Sequence, residues 1–334
     1  MLNIVTMMIS VFATFIFLVC TPSAALLLNR LPLPSPLTGP EALAFDRNGS
    51  GPYVSSSDGR IFKYVGPNEG FQEYAYTSPN RNKITCDGLA DFSTLQATCG
   101  RPLGLGFNHQ TGELYVADAY FGLLKIGANG GPPIQLVGPA QGNSSMFADG
   151  LDIDPDTGIV YFTEASANFQ IKDISTILTS GDSTGRLLKY DPSTNQTTVL
   201  LSDLAVPNGV AVSRDGSFVL VSEFMENRIQ RFWLKGPRAN LSDTFIRLAG
   251  KPDNIKRNSR GQFWVAVNSY LGLPRRPIRR VLPSGVRISE NGLVLQVVSL
   301  AQEYGTEPAS EVQEFNGTLY AGSLFVSYAS IFIP

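Results

Sequence analysis

Histidine is almost missing: His109 is the only one in 334 residues. It sits in Gly106-Phe-Asn-His-Gln-Thr-Gly112, a turn sequence, and reads as a surface hairpin residue. The chain carries no Cys–His pair and no glycine-rich phosphate loop. The common thiol and nucleotide chemistries therefore have no motif to rest on. Charge is scarce as well, at 16% of residues and a net of −2. Its signs are interspersed, which gives no footing for nucleic acid or an anionic membrane. One basic cluster, Arg275-Arg276 with Arg279-Arg280, reads as a solvated loop. Long helical periodicity is missing too. The one candidate is Phe169 to Thr179.

Cysteine is limited to three residues, and the first, Cys20, lies in a strongly apolar start. Residues 1–25 read as a cleaved secretory signal, because the apolar core is short and ends in small residues, Thr21-Pro-Ser-Ala-Ala25. The basic n-region is absent, so a retained membrane anchor is the competing reading. Without Cys20 the mature chain keeps Cys86 and Cys99. In an oxidising compartment these read as a disulfide, with free buried thiols as the alternative. Five Asn-x-Ser/Thr sequons begin at Asn48, Asn143, Asn195, Asn240 and Asn316. They agree with passage through the secretory pathway to a vacuole or the exterior, with no membrane contact after cleavage.

What the chain does have is a repeat. Six times a Gly opens an apolar, aromatic-bearing run: Gly51-Pro-Tyr-Val, Gly112-Glu-Leu-Tyr-Val, Gly158-Ile-Val-Tyr-Phe, Gly216-Ser-Phe-Val-Leu, Gly261-Gln-Phe-Trp-Val and Gly317-Thr-Leu-Tyr-Ala. The spacing of about 45 to about 61 residues is that of a propeller blade with variable loops. We expect an all-β fold: one six-bladed β-propeller of four-stranded blades over residues 40–334. A Pro-rich lead-in, 26–39, precedes it, and blade three carries a small helical insertion.

The strand before each Gly aligns without gaps, and its second position reads Glu41, Leu103, Asp149, Asn208, Asp253, Ser310. In a propeller the first strand of each blade lines the central channel, so these residues meet around one axis. Carboxylates and an amide converging there call for a cation, and an all-oxygen set suits calcium. We expect Glu41, Asn208 and Asp253 to hold calcium, with Asp149 and Asn254 as partners. Turn capping at strand entries is the bland alternative.

Several blocks resemble the strictosidine synthase family of plants. They are Cys99-Gly-Arg-Pro-Leu-Gly-Leu, Thr157-Gly-Ile-Val-Tyr-Phe-Thr, Gly181-Asp-Ser-Thr-Gly-Arg-Leu-Leu-Lys-Tyr-Asp, Ser217-Phe-Val-Leu-Val-Ser-Glu-Phe with Arg228-Ile-Gln-Arg-Phe-Trp-Leu-Lys-Gly-Pro, and Asn254-Ile-Lys-Arg-Asn. The resemblance implies a six-bladed propeller with a disulfide where Cys86 and Cys99 lie. It also implies a Pictet–Spengler condensation of tryptamine with secologanin, assisted by a Glu in the last blade. This chain has Ser310 there, and Ser is no acid–base group near neutral pH. Glu311 is adjacent but would need a local bulge to take over. The column is also similar to the calcium site of paraoxonase-type lactonases and squid-type phosphotriesterases, with Leu103 where paraoxonases place a catalytic His. The expected function is calcium-dependent hydrolysis of small-molecule esters or lactones, with Asp253 or Glu41 accepting a proton from water. A strictosidine synthase and a non-enzymatic secretory glycoprotein are the alternatives.

Overall fold

The computed structural model describes residues 23–139, 146–271 and 280–333. The apolar start through residue 22, Asn143, and Arg275, Arg276 and Arg279 lie outside the described residues. Among the described residues no helix is long and apolar enough to cross a membrane.

The repeated Gly has a conformational cause. Gly51, Gly112, Gly158, Gly216, Gly261 and Gly317 all have positive φ, from 63° to 131°. Each ends the hairpin turn between the first two strands of a repeat, where a side chain would be strained. The β-branched and aromatic runs on either side then pair antiparallel, as Leu151 with Phe162 and Val210 with Val221. Six such sheets form, each of four consecutive strands or their equivalent. Their innermost strands are Leu43–Ala44, Pro102–Phe107, Ala148–Ile153, Pro207–Val212, Lys251–Arg257 and Glu311–Phe315. This is the expected six-bladed propeller. Ser23–Ala24 adds a short parallel strand outside blade five.

Blade six closes the ring, and it revises the lead-in. Residues 311–333 supply only three of its strands. Leu26–Pro32 supplies the fourth, pairing antiparallel with Tyr328–Ile333 from Leu26↔Ile333 to Pro32↔Tyr328. The segment read as a lead-in thus joins the two chain ends through backbone hydrogen bonds. Its Pro residues lie at the strand end and beyond it, where no ladder donor is lost.

The core sits between blades. Trp264, fully buried, packs with Ala309, Val312, Leu319 and Phe332 across blades five and six. Tyr53 meets Phe107 edge-on at 4.7 Å across blades one and two. Each buried large side chain of this kind stabilises by roughly 1.5–3 kcal/mol. Around the axis the inner strands come closer still. A Cβ on Gly150 would lie 2.5 Å from the Asn208 carbonyl oxygen, and one on Gly209 would lie 2.4 Å from the Ile255 nitrogen. The Gly after the column residue is therefore a packing requirement.

Candidate functional site at the channel mouth

The inner strands of blades two to five shift register at the column, between Pro102 and Gly104, Ala148 and Leu151, Pro207 and Val210, and Pro252 and Ile255. Such bulges break the strict alternation of side chains. In blade five both members of the Asp253-Asn254 pair reach the channel. The Asn208 amide donates to Asp253 Oδ1 at 2.8 Å, and the Asn254 amide donates to Glu41 Oε1 at 2.8 Å. Two bonds thereby tie four of the expected residues into blades one, four and five.

Glu41, Leu103, Asp149, Asn208, Asp253 and Ser310 all line one cavity of about 120 Å³. Its walls are apolar. Phe92 comes from the disulfide loop, and Ile171, Ile174 and Leu178 come from the insertion in blade three. Phe147, Phe224, Leu324 and Phe325 complete them. The insertion forms a short 3-10 turn, Ile171–Asp173, and a helix, Ile174–Ser180, close to the expected span. Its buried Ile171 and Ile177 pack with Leu103, Tyr120 and Phe147 at the mouth. The Cys86–Cys99 bond is formed, with Cα atoms 5.4 Å apart. Both sulfurs are buried, which removes the free-thiol alternative.

The floor is electrostatically costly. Burial, then Asp149 and Asp253, hold the Glu41 carboxyl well above the ordinary carboxylate range, with Arg101 opposing. Burial and then Asp253 raise Asp149 in the same way, again opposed by Arg101. Burial pushes Asp253 up to about 7, against the Asn208 hydrogen bond, and Glu311 adds to the rise. Two oxygens on this floor have no donor: Glu41 Oε2 and Asn208 Oδ1. Buried acceptors without partners are rare and ask for a ligand. Hard oxygen donors with net negative charge suit a divalent cation such as calcium. Among the described residues no three acidic, His or Cys side chains suffice for an ion by themselves. The donor set therefore depends on amide oxygen, Asn208 foremost.

Ser310 is buried beside this floor, and its hydroxyl accepts the Leu324 N–H at 3.1 Å. Glu311 does not replace it. Its carboxyl accepts the Leu43 N–H at 3.0 Å and lies 3.5 Å from the Lys256 ammonium. His109 lines a separate polar pocket with Asp152, Lys256 and Arg257. Sequence reasoning missed Arg101, and for Glu311 it missed the burial and the electrostatic role. Glu311 is fully buried and acts electrostatically on both Glu41 and Asp253. Its signal was an acid in the column position otherwise held by Ala42, Gly104, Gly150, Gly209 and Asn254. Arg101 is fully buried beside the floor, and its signal was an Arg directly after Cys99-Gly100.

Fold and site together define a six-bladed propeller protein with an acidic, amide-lined channel mouth beneath an apolar funnel. Solved structures share that fold. A gluconolactonase from Xanthomonas campestris aligns over 95% of this chain and 99% of its own, with TM-score 0.60 and 15% identity. Regucalcin, a calcium-binding protein from Agrobacterium tumefaciens, aligns over 93% and 94%, with TM-score 0.61 and 13% identity. Sequence comparison is more specific. The family pattern described as strictosidine synthase matches residues 149–237, and the one for the strictosidine synthase-like N-terminal region matches 27–64. Protein strictosidine synthase-like 12 of Arabidopsis thaliana is 44% identical over 306 residues, 91% of this chain and 89% of that protein. Strictosidine synthase of Catharanthus roseus is 38% identical over 309 residues, 92% of this chain and 87% of that enzyme. The chain belongs to the strictosidine synthase-like family.

Proposed function

We propose that this protein is a calcium-dependent hydrolase of apolar esters or lactones. The observation that carries the reading is the pair of buried oxygens without donors, Glu41 Oε2 and Asn208 Oδ1, on a floor of three carboxyl groups. Glu41, Asn208 and Asp253 would hold the ion, with Asp149 and Asn254 beside them. When bound, calcium would polarise a carbonyl oxygen as a Lewis acid. The aromatic and aliphatic walls then take the substrate body and exclude water, leaving its carbonyl end at the floor. Asp253 or Glu41, both on the floor beside the ion, would accept the proton from water. Asn208 orients Asp253 through its 2.8 Å bond, and Asn254 orients Glu41 in the same way.

Identity with strictosidine synthase favours a second reading, Pictet–Spengler condensation. Ser310 opposes it, because a hydroxyl held by Leu324 N–H supplies no proton-transfer group. We also propose passage through the secretory pathway to a vacuole or the exterior.

The test is metal analysis of the purified protein, followed by turnover of aryl esters and lactones with and without chelator. About one calcium per chain and chelator-sensitive turnover are expected. A metal-free protein whose turnover ignores both chelator and added calcium sinks the reading.

A further inference from the structure

Arg101 is a fully buried guanidinium two residues beyond the disulfide. Its Nε donates to Asp91 Oδ1 at 2.6 Å, and Nη2 reaches Asp91 Oδ2 at 3.2 Å. Asp91 lies within the loop closed by Cys86 and Cys99, and the Gln96 amide also donates to it, at 3.1 Å. Nη1 donates to the Pro102 carbonyl at 3.0 Å, at the start of the inner strand of blade two. Nη2 also donates to the Gly39 carbonyl at 3.1 Å.

That last bond links the loop to the floor. The Gly39 carbonyl also accepts the N–H of Glu41 at 2.8 Å, closing the tight turn that presents Glu41 to the channel. Gly39 has a φ of 74°, and a Cβ there would lie 2.4 Å from Asp91 Oδ2 and 2.5 Å from Arg101 Nη2. Turn, guanidinium and loop carboxylate are thus packed as one unit with no room for a side chain. A bidentate fork holds such a unit in a way that a lone ammonium cannot.

We propose that Arg101 is a positioning residue for the cation site: clamped by Asp91 of the disulfide loop, it fixes the Gly39 turn and through it the placement of Glu41. The inference rests on the calcium reading above. Two roles for Arg101 make opposite predictions. If it served only as nearby positive charge, Arg101→Lys would leave calcium affinity unchanged, and Arg101→Met would tighten it by removing repulsion. As a positioning residue, both variants weaken it. Groups that orient metal ligands typically contribute ~10–100-fold to affinity, and we expect a loss in that range for Arg101→Lys.

Calorimetric titration of calcium into calcium-free wild type, Arg101→Lys, Arg101→Met and Asp91→Asn tests this, with melting of each metal-free protein recorded in parallel. Asp91→Asn loosens the same clamp from its loop side and is expected to weaken binding less than Arg101→Lys. Its binding is decisive should the Arg101 variants fail to fold. A merely structural Arg101 would lower the melting temperature with calcium affinity unmoved, and that result overturns the inference alone. So does tighter binding by Arg101→Met. A wild-type protein that binds no calcium overturns the inference together with the metal site it rests on.

Discussion

Without metal, the protein should lose stability as pH rises from about 5.5 to about 8, and calcium should restore what is lost. Asp253 carries the argument. In the unfolded chain its carboxyl titrates near 3.8 and is ionised throughout this window. In the native channel, burial pushes it up to about 7, so the folded protein keeps the proton that the unfolded chain has released. The native state binds more protons, and linkage then makes the unfolding free energy fall with pH. The loss begins above the unfolded value and is nearly complete once pH passes the folded one. Between about pH 5.5 and about pH 8, Asp253 alone accounts for about 2 kcal/mol. Glu41 and Asp149, raised chiefly by burial, and Glu311, pushed to about 7 by burial against the pull of Lys256, act with the same sign. With an unfolding entropy of roughly 2 cal/mol/K per residue, 2 kcal/mol in a chain of this size is about 3 °C in Tm. Calcium binds the ionised carboxylates, so its stabilising shift should widen over the same window. Scanning calorimetry of calcium-free and calcium-supplemented protein across the window measures both slopes. Asp253→Asn should flatten the metal-free slope. A metal-free Tm that rises with pH, or a slope that Asp253→Asn leaves intact, refutes the reasoning.

Two further outcomes follow from other parts of the molecule. Tryptamine and secologanin should yield no appreciable strictosidine, because proton transfer of the kind lost at Ser310 typically contributes ~10²–10⁴-fold; product formation by the unmodified protein, followed by chromatography, would contradict this. Glycans should occupy the face opposite the cavity: Asn48 and Asn316 lie in hairpins between first and second strands, Asn195 and Asn240 in hairpins between third and fourth, and all four are exposed. An antiparallel meander puts all these turns at the end away from the insertion, so Asn→Gln at the four sites should remove sugar mass and leave ester turnover unchanged. A drop in turnover with the fold intact would place a sequon near the mouth.

The fold was legible because propeller blades are local. Each pairs strands adjacent in sequence, and each needs a positive-φ Gly at the same turn, so the period of Gly112, Gly158 and Gly216 exposes the architecture. The column was legible for the same reason, since equivalent positions of equivalent blades face one axis. Closure was not. Nothing in Leu26–Pro32 announces that its partner is Tyr328–Ile333, at the other end of the chain. The bulge beside Asp253 and Asn254, and the close approach of neighbouring blades at Gly150 and Gly209, leave no trace in either strand alone. Arg101 was hidden for a related reason. A charged residue in a β-rich sequence reads as solvent-facing, and only the assembled ring shows that Arg101, like Glu311, is sealed inside. Sequence by itself determined the blade, its count and the acids that converge. Tertiary structure decided how the ring is tied, which side chains share the floor and what countercharge they meet, because those depend on contacts between residues far apart along the chain.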